Sequence, residues 1–168
     1  FAYAGGEAGQ IYRIDIEAKS FEEIAKLSGF VAGLCCDKDS NIYACNITAQ
    51  RLFRVTADGD ISLSTAMGGI TTVGNIYSQA GAVGLDAAGD ITLMGNVSSE
   101  LDLNVTSSGG AVWSGSLLRA LSGSVTVQSD SDVYASFVDA DSDISIKSTA
   151  GDITSDVGIE AENDLTLS

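Results

Sequence analysis

From about residue 61 the chain is a succession of apolar–polar–apolar triplets. Ile61-Ser62-Leu63, Val83-Gly84-Leu85, Leu103-Asn104-Val105, Val125-Thr126-Val127, Ile144-Ser145-Ile146 and Leu165-Thr166-Leu167 begin 22, 20, 22, 19 and 21 residues apart. A second apolar series, Ile70, Ile91, Val112, Val133 and Ile153, steps by 21, 21, 21 and 20. A third, Ile76, Val97, Leu118, Val138 and Ile159, steps by 21, 21, 20 and 21. Three interleaved series with one period predict a solenoid. Side chains alternate between faces along a strand. The outer residues of each triplet therefore point inward, and Ser62, Gly84, Asn104, Thr126, Ser145 and Thr166 point to water. One rung cannot bury its own apolar face, whereas stacked rungs share a continuous core. The prediction is an all-β chain in which residues 59–168 form a parallel β-helix, with three strands per rung of about 21 residues and about five rungs.

Residues 1–58 follow a different period. Tyr3-Ala4 and Gln10-Ile11-Tyr12-Arg13-Ile14 reappear as Tyr43-Ala44 and Arg51-Leu52-Phe53-Arg54-Val55, at offsets of 40 and 41. Strands are expected at 1–5, 10–16, 20–28, 31–36, 41–46 and 51–56, in an antiparallel segment. Turns rich in Gly, Asp, Asn and Ser separate them at 5–9, 37–41 and 57–60. Phe21 to Leu27 fits a helical turn about as well as a strand; the 40-residue repeat favours the strand.

Composition supports this picture. The chain has 19 glycines and no proline; proline removes a ladder donor and is confined to sheet edges and bulges. The net charge is −15. Residues 1–64 hold nine acids and six bases, whereas residues 65–168 hold fourteen acids and two bases, Arg119 and Lys147. Such a surface repels phosphate backbones and anionic bilayers, which argues against nucleic-acid and membrane partners. No stretch is long and apolar enough to span a bilayer, so membrane insertion is not expected. No signal peptide is evident, and the start at Phe1 reads as a processed, excised or incomplete chain. Cys35 and Cys45 share a parity on facing strands, so a bridge is conceivable. The competing reading makes Cys35, Cys36 and Cys45 small buried thiols. Three cysteines without histidine do not make a CxxC-type zinc site.

Two resemblances follow from these motifs. The stretch from Gly33 to Asn46, followed by Arg51-Leu52-Phe53-Arg54-Val55, resembles a blade of the gluconolactonase and strictosidine-synthase-like six-bladed propellers. It covers about one and a half blades. Asn46 lies near the channel-facing end of such a blade, but no catalytic residue carries over. Gly89-Asp90-Ile91-Thr92-Leu93, Gly123-Ser124-Val125-Thr126-Val127, Gly151-Asp152-Ile153-Thr154 and Asn163-Asp164-Leu165-Thr166-Leu167 resemble repeats of filamentous-haemagglutinin-like secreted adhesins. That resemblance covers residues 60–168. It implies a right-handed β-helix exported to the cell surface as part of a shaft.

Candidate sites are few. Asp139-Ala140-Asp141-Ser142-Asp143 has the spacing of the first half of a calcium loop. Ile144 and Ala150 stand where an EF-hand needs glycine and an acid, so calcium between rung corners is the metal reading. The same acids also suit turns between strands. Trp113 and Tyr134 occupy equivalent outward positions, flanked by Thr92 and Thr154, as a sheet-stabilising stack or a sugar-binding platform. The outward Ser/Thr column is too irregular for an ice-binding array. With no histidine, acid–base chemistry would rest on carboxylates, and nothing selects a pair; neither a catalytic residue nor a bound cofactor is assigned. Asn46-Ile47-Thr48, Asn96-Val97-Ser98 and Asn104-Val105-Thr106 are glycosylation acceptors where the host has that machinery.

These features point to a structural or adhesive protein, extracellular or on the cell surface. Its partners would be neighbouring rungs of a longer chain, further copies of itself, or a carbohydrate or host surface. The alternatives are a lactonase-like propeller hydrolase or binding protein, and an artificial or recombined chain.

Overall fold

The computed structural model describes residues 1–27, 29–47 and 51–168. The expected Ser28 end of the third strand and Thr48 of the first glycosylation acceptor lie outside the described residues. The antiparallel segment contains β1 (Ala2–Gly5), β2 (Gln10–Asp15), β3 (Ser20–Lys26), β4 (Val31–Cys36), β5 (Ile42–Asn46) and β6 (Arg51–Val55). The first rung is β7 (Ile61–Thr65), β8 (Ile70–Thr72) and β9 (Ile76–Ser78). The second is β10 (Val83–Ala87), β11 (Ile91–Leu93) and β12 (Val97–Ser99). The third is β13 (Leu103–Ser107) and β14 (Val112–Ala120), and the fourth is β15 (Val125–Ser129) and β16 (Val133–Ala140). The fifth is β17 (Ile144–Ser148), β18 (Ile153–Thr154) and β19 (Gly158–Ala161); β20 (Leu165–Leu167) opens a sixth.

The rungs stack in parallel, and the three apolar series are three columns. Ile61, Val83, Leu103, Val125, Ile144 and Leu165 are register partners in turn. So are Ile70, Ile91, Val112, Val133 and Ile153, and Ile76, Val97, Leu118, Val138 and Ile159. The column residues from the first rung through the fourth are at most 1% exposed, whereas Leu165 is 48% exposed. In the third and fourth rungs the second and third strands fuse into β14 and β16. The register between these two shifts between Ser114 and Leu117, so each bends from one face to the next without a break. Three strand positions per rung are retained.

The antiparallel segment closes the first rung. β1, β2 and β3 extend one sheet, β3 pairing antiparallel with β9. β4, β5 and β6 extend the other, β6 pairing antiparallel with β7. The six strands are thus divided three and three between opposite sheets instead of stacking as a four-stranded blade. The 40-residue repeat is a pair of equivalent hairpins, β1–β2 and β5–β6. Ile11, Ile42, Phe53 and Val55 join one buried cluster with Ile61, Ile70 and Ile76. Residues 20–26 are a strand. A register irregularity beside Ile11 and Tyr12 skips Ile24, so Ile24 and Ala25 are both buried. That explains why neither period fitted this stretch cleanly.

Candidate functional site

The solenoid corners come first, because five of the aspartates are held there. The residue before a strand accepts a hydrogen bond from a backbone N–H one rung further on. Asp60 Oδ1 takes Ala82 N–H at 2.8 Å and Asp90 Oδ1 takes Ala111 N–H at 2.9 Å. Asp102 Oδ1 takes Ser124 N–H, and Asp132 Oδ1 takes Asp152 N–H, both at 2.9 Å. Asp143 Oδ1 takes Asp164 N–H at 3.2 Å. A glycine meets most of these carboxylates from the next rung. At Gly110 a methyl group would stand 2.6 Å from Asp90 N and 2.8 Å from Gly89 C, besides striking the Asp90 carboxylate. Gly81, Gly123 and Gly151 face Asp60, Asp102 and Asp132 in the same way. Buried serines complete the corners. Ser129 Oγ donates to Gly110 O at 2.7 Å and accepts from Ser131 N–H at 3.1 Å. Ser107 Oγ donates to Gly89 O and accepts from Gly110 N–H. These bonds satisfy backbone groups that would otherwise be buried unpaired.

Asp139 and Asp141 share one small cleft, and Asp143 is not part of it. Asp139 Oδ2 is 2.9 Å from Arg119 Nε. Arg119 and Glu162 also line the cleft. Asp143 holds the Asp164 N–H. Among the described residues no group of three or more acids or thiols converges as metal ligands do.

Trp113 and Tyr134 are brought together. Their ring centroids are 5.6 Å apart and their planes 10° from parallel. They sit in an outward column running Thr71, Thr92, Trp113, Tyr134, Thr154. A Cβ on Gly115 would strike the six-membered ring of the indole, so the indole lies over the Gly115 backbone and would have to shift for a larger residue. The Tyr134 hydroxyl donates to Asp156 Oδ2. That bond raises the phenol above its ordinary range, so the ring stays neutral with one edge tied to a carboxylate. Trp113 is 42% exposed, which leaves apolar ring surface beside a fixed acceptor.

The cysteines are free and exposed, not core filling. Cys35 faces Tyr43 and Cys45 faces Gly33 across the β4–β5 pair, so the two thiols are diagonal neighbours. A direct cross-strand bridge would need them opposite each other. Partial desolvation at the surface, with the nearby Cys35 and Asp37, raises the Cys36 thiol. The turn after β4 is held by Asp37. Its Oδ1 accepts from Asp39 N–H and Asn41 N–H, both at 2.9 Å. Its Oδ2 accepts from Asn41 Nδ2 at 2.9 Å. The Asn41 amide, foremost, lowers the Asp37 carboxyl below its ordinary value. Asn46 is buried at the end of β5.

Compared with protein-family models, with curated proteins and with solved structures, the chain matches none. Among the described residues no helix is long and apolar enough to cross a membrane. The corner clips escaped the sequence reading because Asp, Gly and Ser in a turn look alike whatever they bond. The available signal was phase: Asp60/Gly81, Asp90/Gly110, Asp102/Gly123 and Asp132/Gly151 recur at 19 to 21 residues.

Proposed function

We propose that the chain is a structural module of an extracellular or cell-surface shaft, built by stacking rungs in register. The carrying observation is that register, which holds without a slip along the first strand position of every rung. The first rung lies under the antiparallel segment and its column residues are buried. The last rung keeps the register of the others, but β18, β19 and β20 pair on one side only. Inward-parity Leu165 and Leu167 are 48% and 49% exposed there. Exposed edges in register are templates for further strands, whether continuous polypeptide or a second copy supplies the next rung. The Trp113–Tyr134 stack is the feature that gives such a shaft an adhesive face toward carbohydrate, since aromatic surface beside a polar acceptor suits a sugar ring.

Light scattering across a concentration series tests stacking through the last rung. Association of residues 1–168 that rises with concentration, and that Leu165→Asp with Leu167→Asp abolishes, is the expected result. A monomer at every concentration, or association unmoved by the two substitutions, rules out stacking through this end.

A further inference from the structure

We propose that the open groove across β9, β12 and the second half of β14 binds an acidic saccharide, a short chain of carboxylate-bearing sugar units. The groove encloses about 360 Å³. Lys26, Asn75, Tyr77, Asn96, Ser98 and Arg119 line it, with an apolar wall from Leu117 and Leu121. It is distinct from the Trp113–Tyr134 stack, which lies on the neighbouring strand position of the rung.

Charge sets this groove apart. The chain carries 23 acids against 8 bases, yet two bases and no carboxylate line it. Four other clefts each include at least one Asp or Glu, and one of them shares Arg119 with this groove. The two bases arrive from opposite directions. Lys26 ends β3 and faces Tyr77; Ser98 lies between Tyr77 and Arg119. The row Lys26, Tyr77, Ser98, Arg119 is therefore four strands wide, about 14 Å at a spacing of about 4.8 Å. That length suits an oligomer with a charge toward each end rather than a single ion.

Between the cations the lining is neutral and rich in donors. Asn75 Oδ1 accepts from Asn96 N–H at 2.9 Å. Asn96 Oδ1 accepts from Leu117 N–H at 3.3 Å and from the Ser116 hydroxyl. The frame engages both amide oxygens, which fixes the amides and leaves each NH2 as the group offered to a ligand. Tyr77 and Ser98 add hydroxyls, and Tyr77 an aromatic surface. A sugar acid uses all of these: ring carbons on apolar surface, hydroxyls on the amides, carboxylates on ammonium and guanidinium. The bond to Asp139 uses one of the five N–H donors of Arg119. An acidic peptide packs its charges more densely, and a surface of net charge −15 repels those that do not face Lys26 or Arg119. That repulsion acts within a Debye length of about 8 Å.

Titration calorimetry of the whole chain with trigalacturonate tests the site, with a neutral galactose trimer and hexaglutamate as comparisons. Trigalacturonate should bind at least about tenfold more tightly than the neutral trimer. Lys26→Gln and Arg119→Gln should each weaken it about fivefold or more, and Lys147→Gln on the opposite sheet should leave it unchanged. If Arg119→Gln melts early, Lys26→Gln with Tyr77→Ala carries the comparison. The proposal is overturned by no binding at millimolar trigalacturonate, by equal binding of the neutral trimer, or by tighter binding of hexaglutamate. A loss at Lys147→Gln equal to that at Lys26→Gln also overturns it, since that would mean diffuse attraction. The site does not rest on the shaft reading: association and groove binding are measured separately, and either can fail alone.

Discussion

The two halves of the molecule turn corners by different physics. In the antiparallel segment the chain reverses through left-handed backbone at Gly9, Lys19, Gly29, Ser40 and Gly59. Such turns are local, and they fix hairpin register by themselves. Beyond residue 60, Gly68 alone among the described residues is left-handed. There the corners are held by Asp, Asn and Ser side chains that reach the neighbouring rung. A hairpin can form before the rest of the protein exists; a solenoid corner needs its neighbour. The antiparallel segment is therefore where register has local instructions, and beyond it each corner depends on the rung stacked against it.

The largest expected effect tests the core that the rungs share. Leu118 is fully buried in the third rung. Leu118→Ala should cost about 2–5 kcal/mol, read as a shift in the urea midpoint. Leu165→Ala, at a half-exposed position of the last column, should cost under about 1 kcal/mol. Equal losses would mean that the rungs do not share one core.

Next in size is a steric test of the corners. Gly110→Ala puts a methyl group into the backbone and carboxylate of Asp90 and should cost about 1–3 kcal/mol. Gly84 has nothing within 4 Å of its missing Cβ and sits on the outer face of β10. Gly84→Ala should be neutral or stabilise by up to about 1 kcal/mol. Thermal unfolding of the pair separates a glycine needed for close approach from one that is not.

The columns were legible in the sequence, whereas the contacts that hold them apart at the right spacing were not. Val83, Leu103 and Val125 announce their alignment through periodicity, because burial repeats once per rung. Asp90 and Gly110 give no such notice. Each is an ordinary turn residue, and their relation exists only once the rungs are stacked. The same limit explains the N-terminal segment. The match between Gln10–Ile14 and Arg51–Val55 is real and does mark equivalent hairpins. Pairing of β3 with β9 and of β6 with β7 sends them to opposite sheets, and no residue in either hairpin encodes that choice alone. The fused strands β14 and β16 were likewise unreadable, since Gly115 and Ser116 look like a break and instead carry a bend. At the aromatic stack, position was legible from phase, but the seat on Gly115 and the Asp156 bond were not.

A smaller effect isolates the clip itself. Asp90→Ala removes the acceptor of the Ala111 N–H. Asp90 is exposed, so water can replace part of the bond, and the loss should be about 1 kcal/mol. Hydrogen exchange should place that loss first at Ala111, one rung along, rather than at residue 90. Faster exchange confined to residues 88–92 would mean that Asp90 works as a local turn residue, and the distinction between the two halves would fail.

The smallest effect belongs to the local turn at Asp37, and it has a defined sign. Hydrogen bonds from the Asn41 amide and from the turn's backbone lower the folded carboxyl below its unfolded value. The folded state therefore binds the proton less well than the unfolded chain does. The stability this contributes is present above the ordinary carboxylate range and disappears as pH falls through the lowered folded value. Asp37→Asn should flatten the acid limb of the stability profile while leaving the neutral-to-basic limb parallel to that of the parent chain. It should also lift protection at the Asp39 and Asn41 amides without reaching the solenoid, because every partner of Asp37 lies within six residues. Loss of protection spreading past β7 would instead show that the antiparallel segment and the rungs fold as one inseparable unit, and that the local turns are no more independent than the corners they were set against.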